Sequence, residues 1–262
     1  MKRRRLLPLA LILVSSPAHA DDDQADLQQK LDRSVAYDAV ENISNAFGNW
    51  IDDRQWLSMS SLFASDGWRQ KYLVGFYIGP ERIRNAETIQ APESESPRRA
   101  VRIHLRMQPV IDVTDDGEQA YLRTRLLHIT GNWERPGEVK NGMYPNDAAT
   151  IEDGVWKLSI VGIDEPYFVS NGWANGWARV PPISEERRHT VPQLMQNLID
   201  RYPPDIPLEA MPFRQGAFTI GDAFVHFPEV KPMWFHYRNP VSGRLPEHYC
   251  PDMRTCEPGF RP

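Results

Sequence analysis

Two histidines, His104 and His128, stand in one stretch of chain whose pattern brings them together. Residues 102–130, RIHLRMQPVIDVTDDGEQAYLRTRLLHIT, alternate as two long strands about the turn residues Asp115-Asp116-Gly117. Two aspartates suit a type I turn, and Gly117 then takes a left-handed conformation, giving a three-residue hairpin loop. That loop pairs Thr114 with Glu118 and sets His104 opposite His128, with their Cβ atoms about 5 Å apart on one face. A two-residue turn at Asp116-Gly117 would put them on opposite faces, because a one-residue slip reverses every side chain. Paired imidazoles are an acid/base unit that titrates near neutral pH. On the first strand His104 shares its face with Arg102, Arg106 and Gln108, which also reads as a solvated face. His128 shares its face with Leu122 and Leu126, which also reads as a hydrogen-bonded core histidine.

Positioning elements surround this hairpin. Apolar residues from Leu27 to Ile51 recur at three- and four-residue steps and predict a first helix over residues 27–52, with Gly48 a mild cost inside it. A short second helix carries Trp56, Met59, Leu62 and Phe63 on one stripe and ends at a turn, Asp66-Gly67. Residues 68–78 are aromatic and apolar, one strand or a short hairpin. Gly79-Pro80-Glu81 opens a third helix, with proline at its favoured first position. Beyond the histidine hairpin, residues 142–151 and 155–161 read as strands joined at Asp153-Gly154. Helices first, then a meander of antiparallel strands, is an α+β order.

After Phe168 the character changes. Trp173 and Trp177 lie in a Gly/Asn-rich segment, residues 184–201 read as a helix, and the remainder is proline-rich yet aromatic. Too many aromatics for a disordered tail predict an extension that wraps the core or a neighbouring subunit. Cys250 and Cys256 are the only cysteines, close together in that tail. A disulfide closing a small loop is the leading reading; a metal site would have only His248 nearby to help.

The ends and the charge bound the setting. Lys2-Arg3-Arg4-Arg5, a short apolar run and Ala18-His19-Ala20 have the anatomy of a bacterial signal peptide cleaved after Ala20. The mature chain is then expected in the periplasm or secreted, with no membrane attachment. Losing the four basic residues takes the formal charge from −5 to −9. So acidic a chain has no electrostatic footprint for nucleic acid.

The helix–helix–strand–helix–strands order, with Leu62-Phe63-Ala64, Asp66-Gly67, Tyr77-Ile78-Gly79-Pro80-Glu81 and Gly154-Val155-Trp156-Lys157, resembles the SnoaL-like branch of the nuclear transport factor 2-like superfamily. The resemblance runs over about residues 35–168. It implies a cone-shaped curved antiparallel sheet packed on three N-terminal helices, here residues 21–178, followed by an extension over residues 179–262. The pattern of scytalone dehydratase, within the same branch, implies Asp52, His104 and His128 as catalytic residues and Asn146 near the substrate. Its two tyrosine positions fall on Ile51 and Trp68, so Trp68, Tyr72, Tyr77 and Tyr144 are the candidates for substrate contact. His128 is then the general acid/base, His104 its partner, and Asp52 the group that orients an imidazole or a water. No metal and no organic cofactor is implied, and a homo-oligomer is. The expected function is a lyase, dehydratase or isomerase acting on a small apolar, aromatic or polyketide-like molecule. The alternative is a non-catalytic ligand-binding or assembly protein on the same fold.

Overall fold

The computed structural model describes residues 18–91, 100–132, 138–163, 171–172, 191, 193–207, 210, 237–239, 241–245 and 249. A long helix α1 (Ala18–Asp52) leads into the one-turn α2 (Trp56–Ser60). Strands β1 (Phe63–Lys71) and β2 (Gly75–Ile78) follow, then α3 (Pro80–Gln90). The long strands are β3 (Ala100–Val113), β4 (Gln119–Asn132) and β5 (Glu138–Glu152), followed by β6 (Val155–Val161). A short β7 (Asn171–Gly172), helix α4 (Gln193–Arg201) and β8 (Ile206–Pro207) complete the described elements. One sheet runs β3-β4-β5-β6-β1-β2-β8, with β7 on β5. The architecture is α+β, helices on one face of a curved sheet. The meander is antiparallel as expected, but β1 joins β6 in parallel.

The core explains which helical positions matter. Ala36, Val40, Phe47 and Ile51 are buried along α1, whereas the earlier apolar residues Leu27, Leu31 and Val35 are exposed. The first half of α1 instead meets the tip of the β3–β4 hairpin, where Gln29 donates to the Asp115 carbonyl and Arg33 pairs with the Asp115 carboxylate at 3.0 Å. Gly48 has a packing reason that its helix cost concealed. A Cβ there would stand 3.2 Å from the His104 carbonyl, so glycine lets α1 approach β3 closely.

Asp66-Gly67 is not a turn. Phe63 and Ala64 are already strand residues, buried beside β6, and Asp66-Gly67 sits where the β1–β6 register shifts. A Cβ on Gly67 would lie 2.8 Å from the Leu158 carbonyl. The second helix is correspondingly shorter than its apolar stripe suggests. By contrast, α3 starts as read: Gly79 has φ 83° and Pro80 takes the first helical position.

The histidine hairpin contains two departures that cancel. Its loop holds four residues, 115–118, with the Thr114 amide donating to the Gln119 carbonyl at 2.9 Å. One residue more in the loop would shift His104 out of register with His128. An extra residue in β3, at Gln108-Pro109, restores it: Met107 faces Arg125 but Val110 faces Arg123. His104 therefore pairs with His128 after all. The bulge also switches which residues of β3 face α1. Arg102, His104 and Arg106 face inward before it, Ile111 and Val113 after it; Gln108, at φ 52°, is exposed.

The start of the extension wraps the core. β8 pairs with β2, and Tyr202 stacks on Tyr77 with centroids 5.6 Å apart. Asp205 accepts from the Ile78 amide and from Arg82. The first part of the helix read over 184–201, Trp173, Trp177 and the Cys250–Cys256 disulfide lie outside the described residues. No helix among the described residues is long and apolar enough to cross a membrane.

Candidate active site

The site is assembled from the end of α1 and the inward faces of β1, β3, β4 and β5. Asp52 is the last residue of α1, and its carboxylate reaches the first of the long strands. The His104 backbone amide donates to Asp52 Oδ2 at 2.8 Å, and His104 Nδ1 lies 2.5 Å from Asp52 Oδ1. One carboxylate thus fixes both the strand and the ring. An Nδ1–H donated to Asp52 leaves Nε2 as the basic nitrogen of His104. The His104 side chain is only 7% exposed. Its ring stacks on that of His128, with centroids 4.0 Å apart and planes within 18°.

The face that looked solvated is the interior one. Burial lowers the basicity of His104, the Asp52 hydrogen bond pulls the other way, and Arg102 and Arg69 add to the lowering; the pKa stands below its ordinary value. Arg106 is buried in an ion pair with Asp147 at 2.5 Å, its guanidinium 4.1 Å above the Tyr144 ring. Asp147 also accepts from the Gly162 amide. On β1, Lys71 pairs with Glu87 of α3 at 2.5 Å, with Arg69 4.0 Å from the same carboxylate. Burial drives Lys71 down. Burial also pushes Glu87 up, but Lys71 and Arg69 outweigh it and hold that carboxyl low.

The other sequence-derived candidates separate. Tyr144 is buried in this interior against Phe47, and burial raises its phenol pKa. Tyr77 is also on the inner face, but its hydroxyl donates to the Tyr202 carbonyl at 2.6 Å. It anchors the extension, and burial holds its phenol high. Trp68 faces the other side of β1, in contact with the ring of Phe76, because it alternates with Arg69. Tyr72 lies in the turn between β1 and β2. Asn146 falls at the β5 bulge opposite Arg123, and its side chain lies outside the described residues. The bulge puts both Tyr144 and Asp147 on the inner face.

Asp147, Glu87 and the four cations were missed as site residues. The only signal for the two arginines of β3 was their alternation with His104. Among the described residues no three His, Cys, Asp or Glu side chains are placed to share a metal ion. What the arrangement can do is move a proton at His104 Nε2 among buried, charged side chains.

Comparison with known proteins gives the family of the domain. Residues 32–161 match the family model of the SnoaL-like domain. No curated protein matches the chain. Similar solved structures include a candidate scytalone dehydratase from Novosphingobium aromaticivorans, 18% identical, covering 55% of this chain and 91% of that one, with a TM-score of 0.45. The hexachlorocyclohexane dehydrochlorinase LinA-type3 from Novosphingobium barchaimii is 22% identical, covering 58% of this chain and 99% of that one, TM-score 0.47. ActVI-ORFA from Streptomyces coelicolor is 14% identical, covering 48% and 95%, TM-score 0.38.

Proposed function

Because residues 32–161 belong to the SnoaL-like family of the nuclear transport factor 2-like superfamily, we propose that the chain is a cofactor-independent enzyme that moves a proton on a small organic molecule, as a lyase, dehydratase or isomerase. The observation that carries this reading is the Asp52–His104 hydrogen bond against the stacked His128 ring. A carboxylate that fixes the tautomer of a buried imidazole and stabilises its charged form is the arrangement of a general base.

The geometry favours roles different from those the resemblance implied. Asp52 is bound to His104, so His104 is the base and His128 its stacked neighbour, lying where it can return a proton or orient a leaving group. His104 Nε2 takes a proton from a carbon next to an electron-withdrawing group. The electron pair left behind forms a new double bond. In an elimination the leaving group departs and is protonated; in an isomerisation the proton returns to another carbon. The low basicity imposed by burial and by Arg102 and Arg69 keeps His104 neutral, and ready to accept a proton, at neutral pH.

Deuterium exchange distinguishes this enzyme from a binding protein on the same fold. Aromatic hydroxy and carbonyl compounds are incubated with the protein in D₂O and followed by NMR. Exchange or turnover above buffer, lost in His104→Ala, supports the base. A wild type no faster than buffer on every compound sinks it and leaves the ligand-binding role. We further place this chemistry outside the cytoplasm on the strength of residues 1–20. N-terminal sequencing of the exported chain should begin at Asp21; an intact Met1 would refute export by cleavage.

A further inference from the structure

The interior that holds the histidine pair carries more cationic than anionic side chains. Arg69, Lys71, Arg102 and Arg106 enter it, and among the described residues Asp52, Glu87 and Asp147 face them. Each carboxylate already has a partner, although Glu87 Oε1, 4.0 Å from Arg69 Nε, makes no hydrogen bond. Asp147 holds Arg106 and the Gly162 amide, Glu87 holds Lys71, and Asp52 holds the ring and amide of His104. Arg102 forms no ion pair among the described residues; Glu87 and Asp52 act on it only through space. Several donors are buried without an acceptor: Nε of Arg69, Arg102 and Arg106, and Nη1 of Arg106. The Arg69 and Arg106 side chains are 8% and 2% exposed. Buried charges are ordinarily paired and hydrogen-bonded, so donors left over on three arginines that all act on Tyr144 mark a region where an acceptor binds.

We propose that this interior binds the carboxylate of a small organic acid, with Arg102 as its principal partner and Arg69 and Arg106 beside it. Among the described residues, leaving the imidazoles aside, four cations against three carboxylates leave one positive charge, which a single carboxylate balances. A phosphate dianion would overshoot. The guanidinium fork matches a carboxylate with two parallel hydrogen bonds. The surroundings favour a flat organic body. Arg106 lies over the rings of Tyr144 and Phe47, at 4.1 and 5.4 Å, and Arg69 stands 5.1 Å from the same Phe47 ring. An aromatic wall therefore adjoins the unsatisfied donors. Arg102 is two residues from His104 on the same face of β3, so an acid held there presents its adjoining carbons to the base. This deepens the acid/base reading and rests on it only for what happens after binding.

Calorimetric titration of the mature chain with benzoate, benzamide and inorganic phosphate tests the proposal without requiring turnover. Benzoate should bind at least roughly tenfold more tightly than either of the others, the loss expected when a charged hydrogen-bond pair is missing. Arg102→Gln should lose that preference while leaving benzamide unchanged, and Arg102→Lys should recover part of it. Equal binding of benzoate and benzamide by the wild type, which needs no variant to fold, overturns the proposal. So does phosphate binding more tightly than benzoate, or a folded Arg102→Gln protein with unaltered benzoate affinity. Benzoate binding without any proton exchange would leave the anion site standing and remove the catalytic reading; exchange without carboxylate preference would do the reverse.

Discussion

His104 donates twice to the Asp52 carboxylate, once through its ring and once through its backbone amide. Removing the charge while keeping the shape therefore separates positioning from stability. Asp52→Asn should fold and should reduce turnover by about 10²–10⁴-fold, the range of a misdirected general base. Parallel steady-state kinetics and melting curves check it; a tenfold or smaller loss would remove Asp52 from the mechanism. The depressed basicity of His104 gives a second expectation. Its folded pKa lies below that of the unfolded chain, about 6.5. Between those two values the unfolded chain holds the extra proton, so acidification favours unfolding. Melting temperature should fall as pH drops from 7 towards 5, and His104→Asn should flatten that part of the curve. A stability that rises on acidification would contradict the direction. At this scale the histidine pair was legible because opposite positions in a hairpin follow from strand alternation. The charged interior was not. An alternating strand shows that Arg102, His104 and Arg106 share a face, but not whether that face meets water or a helix.

The long hairpin carries the same lesson at the level of elements. Asp115-Asp116-Gly117 correctly marked a turn, but the loop is one residue longer than its chemistry suggested, and the bulge at Gln108-Pro109 absorbs the difference. Bulges are hard to read because each adds a single residue with no fixed signature; proline and the positive φ of Gln108 are the only local traces. Deleting Gln108 removes the compensation. Either the two histidines part, or the strain moves into the loop. The expected outcome is loss of the His104–His128 stacking, visible as altered imidazole resonances in NMR titration, together with loss of turnover. Unchanged histidine shifts and activity would show that the bulge does not set the register. The glycines were legible as glycines but not in their purpose: Gly48 looked like a helix defect and Gly67 like a turn, and both are places where backbones approach too closely for a side chain.

Over the whole molecule, the domain matched by the family ends at residue 161, but its fold does not close there. Beyond it, β8 extends the sheet from β2, Leu198 is buried in the main core, and Tyr202 stacks on Tyr77 with the Arg82 guanidinium against both rings, 4.2 Å from that of Tyr202. The aromatics that predict a packed extension, Phe213, Phe218, Phe224, Phe227, Trp234 and Phe235, lie outside the described residues; the packing seen is that of residues 193–207, to which the composition gave no pointer. A pairing as short as β2 with β8 has no periodicity to read. The anchoring is specific on both sides: the Tyr77 hydroxyl donates to the Tyr202 carbonyl, and Asp205 takes the Ile78 amide and Arg82. Tyr202→Ala should therefore destabilise the entire domain by about 2–4 kcal/mol, as for an aromatic lost from a packed site. That corresponds to a fall of roughly 4–16 °C in melting temperature for a chain of this size. The unfolding transition should stay single. The extension shares one core with α3 and the sheet, so the histidine interior should melt with it rather than after it. Calorimetry alongside near-UV dichroism checks both. A second, later transition that keeps the wild-type melting temperature would mean that residues 193–207 are an independent appendage, and that the proton-transfer site stands without them.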